Sequence, residues 1–289
     1  MSVGAAAGGV AEAKVARRET VGQLVRSKTF VIGLLVVLFW VFWALVGSHL
    51  TPQDPLAQTD AILKGPSGTH LFGTDQLGRD VLSRVLAGAS NTLKIAPLAT
   101  LLGIVGGTVI GLISGYFLGI VDEVIGRIID AVLALPLIVI AVTALFALGS
   151  STWTLIIVIG GVFTPIVSRT VRATVLGERQ LEYVQAARLR GERSPYVMFV
   201  EVLPNVLGPI VVEATVRLGY AIFAVAGLTF LGFGVQPPSP DWSLQIADNY
   251  TLLSASNYEW TVLFPGAAIA SLVVGVNLIA DGLQQVLDR

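Results

Sequence analysis

Few side chains here can make or break bonds. The two histidines, His49 and His70, lie apart without metal-ligand spacing, so each reads as a loop histidine. There is no cysteine, which excludes disulfides and thiolate-held metals. No Gly-Lys dipeptide occurs, so the phosphate loop GxxxxGK(S/T) is missing. The spacing offers charge pairing and docking instead. Glu213 and Arg217 stand four apart on one helical face of an apolar run, Glu first, the better order for a pair. Residues 182–205, EYVQAARLRGERSPYVMFVEVLPN, form an arginine-rich island between apolar runs. There Ala186, Ala187 and Gly191 are small enough to admit a partner closely, and Arg188 and Arg190 can pair with acidic groups on it. Leu203-Pro204 marks entry to the next apolar run. A solvated basic loop is the plainer alternative for this island.

The elements that position these residues are membrane spans. The chain has 289 residues, 54% hydrophobic and 13% charged, about half the charged share of a soluble domain. Its net charge of −1 offers nucleic acid no basic field. A basic tail, residues 1–28, holds Lys14, Arg17, Arg18, Arg26 and Lys28. Six apolar runs follow, at about 30–46, 93–118, 130–148, 153–167, 206–234 and 262–280. None alternates with period two, which argues against a β-barrel. The reading is an all-α polytopic membrane protein of about six helices, with a transmembrane domain over 29–289.

Loop charge sets the expected orientation. With the N-terminus cytoplasmic, the inside carries the tail cations, Arg127, Arg169, Arg172, Arg179, Arg188, Arg190, Arg193 and Arg289. The outside carries Lys64, Arg79 and Arg84, with Lys94 at a span edge, and residues 235–261 hold no Lys or Arg. Both termini and the island, about 178–205, are thus expected inside, with outer loops at about 47–92 and 235–261. In the first outer loop an N-cap at Thr74 or Asp75 opens an amphipathic stretch. Val81, Leu82, Val85 and Leu86 face one way, and Arg79, Asp80, Ser83 and Arg84 the other, as in an interfacial helix. Gly103, Gly107, Gly111, Gly115 and Gly119 recur every four residues in the second run. Each step of four advances about 40°, so the ladder is expected to wind around the helix, serving helix packing or else lining a pore. Asp122, Arg127 and Asp130 form a charge cluster at a helix boundary or a partner contact, and Pro136 predicts a kink. Glu213 and Arg217 are expected beside a translocation path or gate, or as a helix fastener.

The island resembles the EAA loop of ATP-binding-cassette importer permeases: Glu-Ala-Ala, three residues, Gly, nine residues, Ile-x-Leu-Pro. Gln185, Ala186, Ala187 and Gly191 occupy the first part, and Glu201, Val202, Leu203 and Pro204 the second. Gln185 stands where the pattern has Glu, and Glu201 where it has Ile. HLFGTDQLGRDVLSRVLAGA, IGRIIDAVLALP and LGYAIFAVAGLTFLGFGVQPPSPDW resemble the dipeptide/oligopeptide/nickel permease group of the DppC/OppC type; Ser243 replaces its usual Gly. The resemblance covers about 25–285 and implies the type I importer fold in a bacterial plasma membrane. It implies a non-catalytic subunit without a cofactor or metal of its own. Its implied partners are a second permease subunit of the DppB/OppB type, two ATPase subunits or domains that bind ATP and Mg, and an extracytoplasmic binding protein delivering peptide. Gln185, Ala186, Ala187, Arg188, Arg190, Gly191, Leu203 and Pro204 would form the coupling element. Nickel chelates, glutathione or haem are alternative cargoes. A stand-alone secondary transporter is another reading, with no evident internal repeat and few intramembrane carboxylates to support it.

Overall fold

The computed structural model describes residues 22–254 and 257–287. The tail cations Lys14, Arg17 and Arg18, and Arg289 at the other terminus, lie outside the described residues. Among the described residues, nine helices of eight residues or more organise the fold: α1 (Lys28–Leu50), α2 (Val81–Phe117), α3 (Gly119–Leu133), α4 (Leu137–Leu148), α5 (Thr152–Glu178), α6 (Glu182–Leu189), α7 (Leu203–Phe230), α8 (Trp242–Asn249) and α9 (Trp260–Leu287). A helical turn at Ser194–Tyr196 and a π-helical stretch at Val197–Val202 lead into α7. Among the described residues there is no strand beyond one isolated bridge, Thr74 to Asp80. Among the described residues, five helical segments are long and apolar enough to cross a bilayer, and α3 with α4 makes a sixth, bent candidate.

Side-chain caps fix the helix starts. Ser27 Oγ accepts from Phe30 N at 3.4 Å, and Ser151 Oγ from Thr154 N at 3.1 Å. Asp80 Oδ2 accepts from Ser83 N at 2.8 Å, so α2 begins at Val81 rather than at the expected Thr74 or Asp75. Those two residues lie in a tight turn, where Asp75 Oδ1 accepts from Leu77 N and Arg79 N. The expected interfacial helix is therefore corrected. Its residues are the first turns of one 37-residue helix, and its polar members Ser83 and Arg84 are fully buried. That helix is about 55 Å long against an apolar core of about 30 Å, so it is longer than one crossing requires.

The third span is corrected too. Asp130 belongs to α3, which meets α4 at 84° across Ala134–Pro136. The twelve residues of α4 reach only about 18 Å. The charges on α3 are spent within the chain: Arg172 makes a two-pronged pair with Asp122 at 2.5 and 2.6 Å, Arg169 pairs with Asp130, and Arg127 with Glu123 at 2.6 Å. Arg169 and Arg172 lie on α5, which runs on to Glu178, past the expected end near Val167.

The central contact is α2 against α5. A Cβ on Gly103 would lie 2.9 Å from Phe163 Cβ, on Gly107 2.5 Å from Val167 Cβ, on Gly111 2.7 Å from Val171 Cβ, and on Gly115 2.9 Å from Val175 Cβ. Both rows advance by four, so the partner row follows the glycines as they wind and the contact persists. Without a hydrophobic driving force inside lipid, such close backbone approach is what holds apolar helices together. Gly119 departs from the expectation: it opens α3 at φ +58°, and a Cβ there would meet nothing within 4 Å.

Candidate functional site

The α2–α5 pair delivers the arginine-rich island at one end of the bundle. Three residues after α5, the chain turns into α6. Val184 and Ala187 are fully buried in a cluster with Tyr116, Val197, Val202 and Val206. Ala187 therefore cannot belong to an exposed docking face; its small side chain lets α6 lie flat on the cluster. Gly191 is not placed by close approach either, since a Cβ there meets nothing within 4 Å. Its φ of +78° is what requires glycine. Gly191 N donates to Arg188 O at 3.0 Å and Glu192 N to Ala187 O at 3.2 Å, the paired bonds of a Schellman terminus. Gly191→Val should cost α6 about 1–2 kcal/mol and speed exchange of its amides about 5- to 30-fold, with little change elsewhere. Hydrogen exchange resolved to α6 checks this.

The face that remains open is a ridge of Leu181, Gln185 and Leu189 at i, i+4 and i+8, flanked by Ala186 and Arg188. Leu189 is 89% exposed, the most exposed large apolar side chain among the described residues. The Arg188 guanidinium sits 4.5 Å from the Tyr116 ring centroid, a cation–π contact that ties α6 to the end of α2. The two departures from the family pattern have local causes. Gln185 Nε2 donates to Gln180 O at 3.0 Å, which a carboxylate cannot do. Glu201 accepts from Arg190 Nη2 at 3.2 Å, fastening the π-helical stretch to α6.

Tyr183 braces the same corner. Its hydroxyl donates to Glu178 Oε1 at 2.6 Å and accepts from Asn205 Nδ2 at 3.0 Å, joining α5, α6 and α7. Burial, reinforced by Glu178, pushes this phenol up to about 12, so it remains a donor at neutral pH. Leu203 is half-buried and Pro204 exposed. Pro204 lies in the first turn of α7, where a missing N–H costs little. Along α7, Arg217 Nε donates to Glu213 Oε1 at 2.6 Å, and both side chains are largely covered.

A second cluster, at the opposite end, escaped the sequence reading. Arg84 is fully buried, with Nη2 donating to Ser239 O at 3.3 Å and Nη1 lying 3.4 Å from Asp75 Oδ2. Arg79 pairs with Asp75 at 2.7 Å and with Asp248 at 3.3 Å. Trp242, fully buried, donates from Nε1 to Val85 O at 2.6 Å and meets Trp40 edge-on at 4.7 Å. Asp241 caps α8 through Oδ1, while its buried Oδ2 has no partner. Burial lifts the Asp241 carboxyl above the ordinary carboxylate range. A raised acid contributes stability that is fully present below its unfolded value near 3.8 and is lost as pH rises through the native value. Asp241→Asn keeps the cap and removes the titration. The stability of the variant relative to wild type should therefore rise with pH above about 4, as paired melts at several pH values would show.

The geometry is that of a helical bundle of membrane-spanning length with an arginine-rich corner at one end and a fastened cap at the other. Residues 107–289 match the family described as binding-protein-dependent transport system inner membrane component. The chain belongs to this family. Such permeases are the transmembrane subunits of ATP-binding-cassette importers, and this one is a multi-pass inner-membrane protein of the DppC/OppC type. The permease is 38% identical over 273 residues to the dipeptide transport system permease protein DppC of Alkalihalophilus pseudofirmus, covering 94% of this chain and 89% of that one. It is 39% identical over 267 residues to the di/tripeptide transport system permease protein DppC of Pseudomonas aeruginosa, covering 89% and 86%. It is 39% identical over 270 residues to the Escherichia coli K12 dipeptide transport system permease protein DppC, covering 91% and 89%.

Proposed function

We propose that this permease forms half of a translocation path for di- or oligopeptides and that α6 couples it to cytoplasmic ATPases. The arginine end, with α6, faces the cytoplasm; the cap at the opposite end faces an extracytoplasmic binding protein. A second, homologous permease completes the path. ATP and Mg bind in the partner ATPases, whose closure pulls on α6 and rocks the spans between inward- and outward-open states. The observation that carries this reading is the exposed Leu181–Gln185–Leu189 ridge, set among arginines and packed by its other face onto α2 and the entry to α7. An exposed leucine outside the membrane has a use when an apolar cleft receives it. Arg188 and Arg190 beside it favour a cleft with an acidic rim. In this reading the Glu213–Arg217 pair on α7 stands beside the path or its gate.

The peptide assignment rests on the names of the relatives. It is tested by peptide uptake in cells lacking this subunit, with and without the gene restored. Uptake that depends on the restored chain supports it. Peptide uptake unchanged by its loss, alongside loss of a different solute, would overturn it. The coupling assignment is tested separately, through a single cysteine at Leu189→Cys in this cysteine-free chain. That cysteine is expected to crosslink to an ATPase subunit in membranes; crosslinking only to lipid or to the second permease would refute it.

A further inference from the structure

The buried arginine at the cap has no role in the coupling corner, yet it lies on a continuous mechanical route to it. Two segments 155 residues apart meet at Arg84: the start of α2 and the turn before α8. Asn91 Nδ2 donates to Ser239 Oγ at 2.7 Å, and Ser239 Oγ in turn accepts from Asp241 N at 3.2 Å. Gln76 Nε2 donates to Asp248 O at 2.9 Å, and Trp260 Nε1 to Thr74 O at 3.2 Å. Gly88 allows the contact, because a Cβ there would press on Pro240 O and on Trp242 Cδ1. The connector 51–80 and residues 235–249 thus form one cap seated on the first turns of α2. Below it, α2 is locked to α5 by the glycine row, and α5 leads through three residues into α6.

Arg84 is an unusual choice for such a seat. Its Nε and Nη1 have no hydrogen-bond partner, and neither does Asp241 Oδ2 nearby. Replacing a buried ion pair by apolar groups of similar volume is often neutral or stabilising, so stability alone gives no reason for a charge here. What a guanidinium adds is direction: its planar fork accepts few orientations of Asp75 and Ser239 about it. We propose that Arg84 is a positioning residue for transport, holding the cap on α2 in one orientation so that displacement of the cap reaches α5 and α6. This rests on the importer reading above.

The test is ATP hydrolysis by the assembled complex in lipid nanodiscs, with and without its binding protein loaded with peptide. Arg84→Met is expected to assemble and to keep basal hydrolysis, because Asp75 retains Arg79. Stimulation by the binding protein should fall about tenfold, within the range of ordinary coupling between sites. Arg84→Lys, which keeps the charge and loses the fork, should recover part of it. Gly88→Ala, which wedges the cap away without touching charge, should uncouple in the same way. Full stimulation in Arg84→Met and Gly88→Ala would overturn the inference. So would an Arg84→Met chain that fails to assemble while Gly88→Ala is stimulated normally, since Arg84 would then serve folding alone. A wild-type complex without any stimulated hydrolysis would sink the importer reading itself, and is thereby distinguished from failure of this inference.

Discussion

Gly107→Leu should prevent the folded permease from accumulating in the membrane. A Cβ on Gly107 already falls 2.5 Å from Val167 Cβ, 2.6 Å from Val167 Cγ1 and 2.9 Å from Thr164 O. The first contacts involve a β-branched side chain with one preferred helical rotamer, and the last is backbone, so nothing can swing aside. Leucine adds three further carbons beyond that Cβ. Overpacking in a close-packed interior costs about 1–3 kcal/mol, and a helix–helix contact built on backbone approach sits at the upper end. Because α2 and α5 make the most extensive contact in the fold, the loss propagates to α6 and to the cap alike. Gly119→Ala is the matched control of opposite design: it meets no neighbour, and only its φ of +58° is strained. Membrane-fraction immunoblots and size-exclusion profiles should show little Gly107→Leu protein and near-normal Gly119→Ala protein. Equal recovery of the two would mean that the glycine row does not hold α2 to α5.

Leu189→Asp should do the reverse, leaving the fold intact and breaking the complex. The side chain is 89% exposed, so its replacement removes almost no internal packing. At the centre of a docked ridge, an apolar anchor exchanged for a carboxylate loses its pocket and meets the acidic rim proposed for Arg188 and Arg190. Anchors of this kind cost about 2 kcal/mol or more on truncation, roughly a 30-fold loss of affinity. The melting temperature of the purified chain should stay within a degree or two. Co-purification with the ATPases should fall at least about tenfold. Ala187→Asp gives the contrast, because burying a charge among Tyr116, Val197 and Val206 destabilises the chain itself. Retained ATPase binding by Leu189→Asp would move the docking surface away from α6.

These contrasts also mark what the sequence could reveal. The apolar runs, though not all their ends, and the polar island were legible because the length of an apolar stretch is read directly from the residues. The role of Ala187 was not. Small size marked Ala187 and Gly191 as places for a partner to approach, but the helix ends before Gly191, and the face beneath Ala187 is covered by residues from three other segments. Pro136 announced a break, but not its 84° angle or the ion pairs that Arg169 and Arg172 of α5 make with Asp130 and Asp122 of α3. Arg84 was the least legible. An arginine on a helical face reads as solvated, and the carbonyl it meets belongs to Ser239. The cue available was in PPSPDW, whose Asp241 has no Lys or Arg within 235–261 to pair with.

The most direct test of the account is peptide accumulation in proteoliposomes that contain this permease, its homologous partner, the ATPases and the binding protein. The account predicts peptide uptake that requires ATP, is lost when this chain is omitted, and is lost with Leu189→Asp despite normal insertion. Uptake by this chain alone, driven by an ion gradient and indifferent to ATP, would contradict it.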